Sequence, residues 1–351
     1  MEENDNISWR FHKRDDRKVA ASVRSGDIDT ITGTGWGFLD KFFCFLYAMG
    51  FFDIEDIRSA GYQRIMLPLA LLITTYSVKI LLGISSMNKV PALLFREIAL
   101  LSLIGFTATQ IKEGSCDRGK GKSSPINKNT LSRMLFRLGI KESVKILDDT
   151  ASSVASKRFL IGTTYTMDAT DIETTQKCQG CGKKTVKIRK FSRKEGKFVE
   201  TEKTIYGFKL IVIWENISRA VVAAKVVKIA DHESKHTLSL VRTAQKNIGK
   251  KKIRLLLIGN GFMDGKTLYT LKHKMKIDFI VRIRKNMQLA SDARGLKGTP
   301  GTYEAKDKAK GLEVTGIPGL TTYDHYGKEG HSKDRYKKIF SPNPVNCVMG
   351  W

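Results

Sequence analysis

The sequence predicts a mixed α/β domain preceded by an all-helical one. Three observations carry that expectation. Up to about residue 155 the apolar residues fit helices, as in LFREIALLSLIGFTATQI (94–111), which is apolar on more than one face. From about 157 the apolar runs become short and β-branched, as in YGFKLIVIWEN (206–216) and RAVVAAKVVKIAD (219–231). After 231 such runs alternate with helical segments, which implies a mixed sheet with helices packed on it.

Taken in order, residues 1–35 form a polar lead-in and 36–155 a helical domain able to meet DNA, and the α/β domain occupies 156–351. LPLALLITTYSVKILLGI (67–84) approaches membrane-spanning length, but Pro68, two threonines and Lys79 make it a buried helix instead. The Gly-, Ser-, Asn- and Lys-rich stretch 113–130 is a loop. NKNTLSRMLFRLGI then begins a short helix with Asn129 or Thr130 as N-cap and Gly139 near its end. That helix suits a DNA groove or simple packing on its neighbours. RFLIGTTYTMDAT reads as a strand, and DIETTQKCQGCGKKTVKIRKFSRKEGKFVETEK as a charged linker. Two strands follow, then a helix over 232–249, the strand KKIRLLLIGNG, a helix over 264–276 and the strand DFIVRIRK (278–285). The short crossover helices favour parallel pairing in this half. Residues 295–351 show few periodic signals.

Sixty-one Lys and Arg against thirty-five Asp and Glu give a net charge of +26. A polyanion balances such a surplus, and nucleic acid is the first candidate. Five cysteines with only one close pair exclude a disulfide framework and suit a reducing cytosol. The N-terminus does not read as a secretory signal.

Four constellations can carry chemistry. Asp168 sits at or near the end of a strand, where a carboxylate can ligate Mg²⁺; Asp171 and Glu173 are further ligands or solvated charges. Cys178 and Cys181 form half a zinc site. His232-Glu-Ser-Lys-His236 matches the helical zinc-protease pattern, or else begins a helix with both histidines in solvent. Arg282, Arg284, Lys285 and Arg294 form a basic surface suited to phosphates, or a solvated face.

These segments together resemble the DDE transposases of bacterial insertion sequences, in the insertion-sequence-4-like group. The resemblance rests on TYTMDATDIETT, CQGCGKKT, YGFKLIVIWEN, AAKVVKIADHES, IGNGFMDGKTLYTLKHKMKIDFIVRIRKNM, SDAR, YDHYGKEGH and SPNPVN, and in the helical half on LSLIGFTATQIKEGSCDRG and SSPINKNTLSRMLFRLGI. It implies a ribonuclease-H-like core in which two Asp and one Glu hold two Mg²⁺ ions for strand hydrolysis and strand transfer. It implies DNA as partner, as transposon ends and target, with a homodimer or pairing with an intact transposase. It implies a bacterial cytoplasmic, nucleoid-associated setting and no membrane. Asp168 matches the first acid. The second belongs to an Asp-Arg-Gly-Phe turn that reads Gly259-Asn260-Gly261-Phe262 in this chain. Asp264 matches the family's turn aspartate instead. The Glu-bearing pattern of the family is not found: Glu304, Glu313 and Glu329 fall in loop-like sequence, so the resemblance implies a core truncated at its C-terminus. The expectation is a DNA-binding transposase relative with its catalysis lost, or a regulator of an intact transposase; a zinc protease is the remote alternative.

Arg284→Ala and Lys285→Ala are expected to weaken duplex binding across sequences and flatten its salt dependence, each phosphate contact carrying about 0.9 of log–log slope. An unchanged slope in fluorescence anisotropy would assign both residues to a solvated face.

Overall fold

The computed structural model describes residues 16–26, 36–51, 68–114, 125–192, 196–282, 294–295, 303–307, 312–320 and 345–350. The chain divides into two compact units, Met1–Ile146 and Leu147–Trp351.

The described part of the first unit is helical. Helix α1 (Asp16–Arg24) falls within the segment expected to be a polar lead-in. It is followed by α2 (Leu39–Ala48), α3 (Leu69–Leu81), α4 (Val90–Leu93), α5 (Ile98–Ile104), α6 (Ala108–Glu113) and the start of α7 (Lys128–Ser156). Phe43, Leu72, Leu94, Leu101, Ile104 and Leu131 are fully enclosed in one core. The near-spanning stretch is α3, a buried core helix; its Lys79 lies 5.5 Å from the centre of the Tyr76 ring. Among the described residues no helix is long and apolar enough to cross a membrane.

The single helix expected over 94–111 is two. Gly105 adopts φ 109°, a left-handed turn that ends α5. Thr107 then caps α6: its Oγ1 accepts from Gln110 N at 3.1 Å, and Gln110 Oε1 accepts from Thr107 N at 3.0 Å. The cap of α7 is Asn127, whose Oδ1 accepts from Asn129 N at 2.9 Å, so neither Asn129 nor Thr130 holds that position. As expected, Gly139 ends the first helical stretch of α7. It interrupts α7 with φ 68° and ψ 171°, and helical turns resume as far as Ser156.

The second unit is built on a mixed sheet of six strands. These are β1 (Thr164–Thr174), β2 (Gly182–Ser192), β3 (Lys197–Glu215), β4 (Val221–Lys228), β5 (Leu255–Ile258) and β6 (Asp278–Val281). The order is β2-β3-β1-β5-β6, with β4 also paired to β3. Strand β3 pairs antiparallel with β1, β2 and β4, whereas β1·β5 and β5·β6 are parallel, as the short crossovers predicted. Helix α8 (Ser234–Ile248) supplies the crossover from β4 to β5 and buries Leu240, Val241, Ala244 and Ile248. Asn247 Nδ2 donates to Val222 O at 2.9 Å and to Asp148 Oδ1 at 2.8 Å, which ties α8 to the strand it covers.

The charged linker is not a linker. Strand β1 runs on to Thr174, and β2 pairs antiparallel with the first half of β3 in continuous register, Gly182 opposite Gly207 and Ser192 opposite Lys197. Alternation of Val186 and Ile188 with charged residues, and opposite charges facing across the strands at Lys187–Glu202 and Arg189–Glu200, support a ribbon. A second sheet, β7 (Tyr303–Asp307), β8 (Leu312–Leu320) and β9 (Val345–Gly350), is antiparallel in the order β7-β8-β9, in the stretch with few periodic signals.

Glu215 ends β3 at the turn into β4. It is fully buried, and its carboxylate accepts from Ile217 N at 2.9 Å and Ser218 N at 2.6 Å. Burial alone would raise its pKa; bonds from Ser218, Ile217 and Gly162 outweigh that and hold it below the ordinary range. The same carboxylate fills the space where a Cβ on Gly162 would lie. Burial, aided by the Glu215 charge, pushes the Tyr165 phenol up to about 12. Glu215→Leu is expected to leave the two turn amides without an acceptor and to cost about 2–3 kcal/mol in urea unfolding; unchanged stability would mean that the turn is held from elsewhere.

Candidate functional site

The site lies where β1 and β5 run side by side. Pairing carries Thr164–Met167 along Leu255–Ile258, and Gly259 N donates to Met167 O at 3.3 Å. Strand β5 stops there, and Asn260–Phe262 turn into a short 3-10 helix with Phe262 buried beneath it. Asp168 is the next residue on β1. It lies within that strand, six residues before its end, and not at its tip as expected; the tip belongs to β5. Its side chain is exposed, and its Oδ1 accepts from Ala169 N at 2.8 Å.

Gly259 has ordinary extended geometry, φ −62° and ψ 157°, so nothing in its backbone requires glycine. A Cβ placed there would lie 3.0 Å from Asp168 Oδ1 and 3.7 Å from the Phe262 ring. A side chain at 259 would therefore point directly at the Asp168 carboxylate. Two positions on adjacent parallel strands thus face one another, and one of them carries no side chain.

Gly261 differs. A Cβ there would overlap the carboxylate of Glu233. Glu233 is held by Lys209, whose Nζ donates to Glu233 Oε1 at 2.8 Å and to Asp231 O at 3.0 Å. Lys209 is only 6% exposed. It pairs with Asp171 across β1·β3, so its side chain and that of Asp168 lie on opposite faces of the sheet. Glu233 therefore braces the turn from the α8 side. The sequence reading missed this pair. Its signal was a lysine inside the apolar run FKLIVIW, which demands a buried counter-charge.

The zinc-protease pattern does not form its site. Helix α8 starts at Ser234, so His232 precedes it and the two imidazoles do not stand one turn apart on one helix. His232 Nδ1 lies 2.8 Å from Ser234 Oγ, and Glu233 is committed to Lys209. Helix α8 has no side-chain cap from Asp231 or Ser234. His236 does not face solvent: its side chain is 18% exposed, with Nε2 3.8 Å from Asp231 Oδ2. Cys178 and Cys181 occupy the turn between β1 and β2 as free, partly exposed thiols, with Cys181 Sγ 3.9 Å from Thr175 O. Asp171 and Glu173 form ion pairs with Lys184, at 3.2 Å, and Lys203, at 3.5 Å. Asp264 caps α9 (Gly265–Tyr269), accepting from Thr267 N at 2.9 Å. That helix continues only as a π turn over Thr270–Lys274. Glu304 and Glu313, expected in loops, lie on β7 and β8.

Arg282 follows β6 and is exposed, and Arg294 is exposed as well. Arg284, Lys285 and Glu329 lie outside the described residues. Two hard cations need several oxygen ligands between them. Among the described residues there is no group of three or more His, Cys, Asp or Glu side chains that could hold a metal ion.

A mixed sheet with this strand order, a helix crossing from β4 to β5 and an acidic residue beside the end of β5 defines a ribonuclease-H-like core of the transposase type. The family described as Transposase DDE domain matches residues 162–337, half of the chain, and the chain belongs to that family. No curated protein matches it. Among solved structures, a piggyBac transposase synaptic complex with hairpin DNA is similar at 12% identity and a TM-score of 0.37, over 77% of this chain and 57% of that one. The chain thus spans 57% of the length of that transposase. A Mos1 mariner paired-end complex with Mn is similar at 12% identity and a TM-score of 0.22, over 80% of this chain and 78% of that one. A Mos1 paired-end complex with the left transposon end has the same identity and TM-score, over 79% of each chain.

His236 gives a pH test of the bracing segment. Burial first, then Lys225 and Lys235, lower its pKa below the ordinary 6.5 against the opposing pull of Asp231. The folded state therefore prefers the neutral ring. Its contribution is fully present above pH 6.5 and is lost as pH falls below that value. The thermal midpoint is expected to drop below pH 6.5, and His236→Gln to flatten that drop; an identical profile in the variant would rule out this residue as its source.

Proposed function

We propose that this chain binds DNA as a member of the transposase family and has lost the family's metal-dependent strand cleavage. Gly259 carries the argument. The site positions a side chain at 259 against Asp168, and glycine leaves Asp168 without the carboxylate beside it. A divalent centre that clamps the attacking and leaving oxygens loses its geometry when a shared ligand is removed.

DNA binding does not depend on those acids. The charge of +26 is distributed over Lys and Arg that need no metal to hold phosphates. Arg282 and Arg294, with Arg284 and Lys285, are the proposed phosphate contacts of the core, and the helical region 36–155 is a further one. The ligands are transposon-end and target DNA, bound by a homodimer or beside an intact transposase. The zinc-protease alternative loses its support, because His232 lies outside α8.

Gly259→Asp tests the reading through metal, without needing a cleavable substrate. With chelator present the new carboxylate faces Asp168 and is expected to destabilise the core by about 1 kcal/mol through like-charge repulsion. Mn²⁺ is expected to reverse that loss in a thermal shift, and to do nothing for the wild-type chain. Equal stabilisation of both proteins by Mn²⁺ would overturn the assignment of position 259 as the missing ligand.

A further inference from the structure

The ribbon formed by β2 and the first half of β3 has no role in the site. The last pair joining β3 to β1 is Tyr206 with Thr174, so from Ile205 outward the ribbon is two-stranded among the described residues. Its two faces differ. Val186, Ile188 and Val199 share one face and are half-buried. Lys183, Lys187, Arg189, Phe191 and Phe198 share the other, and all are exposed. Phe191 and Phe198 are 55% and 59% exposed and meet edge to face with ring centres 5.3 Å apart. Arg189 lies 5.3 Å from the centre of the Phe198 ring. Two large aromatic rings beside an arginine on a solvent face suit apolar contact with base edges in a groove.

Strand parity places that face. Register is unbroken along β3 from Phe198 to Val212, and Val212 is opposite Asp168. The exposed face of the ribbon is therefore the face of the sheet that carries Asp168. Glu202, opposite Lys187, lies ten residues along β3 from Val212. At ~3.3 Å per residue that is about 33 Å, close to one turn of B-form DNA at ~34–36 Å. A major groove admits a two-stranded ribbon.

We infer that this ribbon is an arm that grips a DNA duplex about one helical turn from Asp168, with Lys187 and Arg189 on phosphates and the Phe191–Phe198 pair in the groove. The inference rests on the DNA-binding reading above. Glu200 and Glu202, facing the two cations across the strands, hold the free arm and weaken its charge.

The test is anisotropy of the full chain on random-sequence duplexes across a salt series. Lys187→Ala with Arg189→Ala is expected to weaken binding about tenfold and lower the log–log salt slope by about 2. Phe191→Ala with Phe198→Ala is expected to weaken binding with the slope unchanged. Glu200→Gln with Glu202→Gln is expected to tighten binding severalfold, whereas a purely structural role for these pairs would show only as a lower thermal midpoint. Far-UV circular dichroism controls for folding. If the wild type binds and neither the lysine–arginine nor the glutamate variant changes affinity or slope, the arm is overturned while the DNA reading stands. If the wild type does not bind duplex at all, both fall. If the phenylalanine variant turns a dimer into a monomer in light scattering with affinity per chain unchanged, the pair is a self-association surface and the arm is overturned.

Discussion

Parallel pairing of β1 with β5 is the constraint on which the second unit depends. It needs a crossover on one face, and α8 supplies it by burying Leu240, Val241, Ala244 and Ile248. The crossover fixes where β5 stops, and that stop places residue 259 beside Asp168. The ion pair of Lys209 with Glu233 acts at the same joint, between the end of β4 and the start of α8. A charge pair in the interior is a weak source of net stability, but losing one partner strands the other in a dry site. Lys209 and Glu233 therefore fix geometry more than they add stability.

The charges of this chain serve two separate purposes. Glu215, Lys209 and Glu233 are buried or half-buried and are satisfied by named partners within the fold. Lys183, Lys187, Arg189 and Arg282, by contrast, are exposed. The sheet therefore needs no carboxylate at position 259 to hold together. Asp168 is solvent-exposed, so it needs no partner to remain folded.

The legible parts of the fold were those whose pattern has one reading. β-branched runs gave β3, β4 and β5, and alternation with an amphipathic helix gave the parallel half of the sheet. The ribbon escaped because Lys and Arg crowd β2 and Lys and Glu the start of β3, which leaves few apolar residues to mark its inner face. The two helices at 98–113 were read as one because apolar periodicity continues through Gly105 while the backbone does not. At the candidate site, the sequence pairs Asp168 with the Gly259 turn, and the structure sets the two side by side. The brace of Lys209 and Glu233 was not legible, because it joins positions 24 residues apart. Glu233 also lay inside a pattern that suggested metal chemistry instead.

The two glycines of the 259–261 turn have different freedom to be substituted. Position 259 is open to substitution: its backbone suits any residue, and a side chain placed there need only turn one exposed carboxylate aside. Position 261 is fixed while Lys209 holds Glu233 in place, since any side chain would have to expel a braced carboxylate. Position 259 can therefore exchange its side chain without a change in the shape of the turn, whereas position 261 cannot.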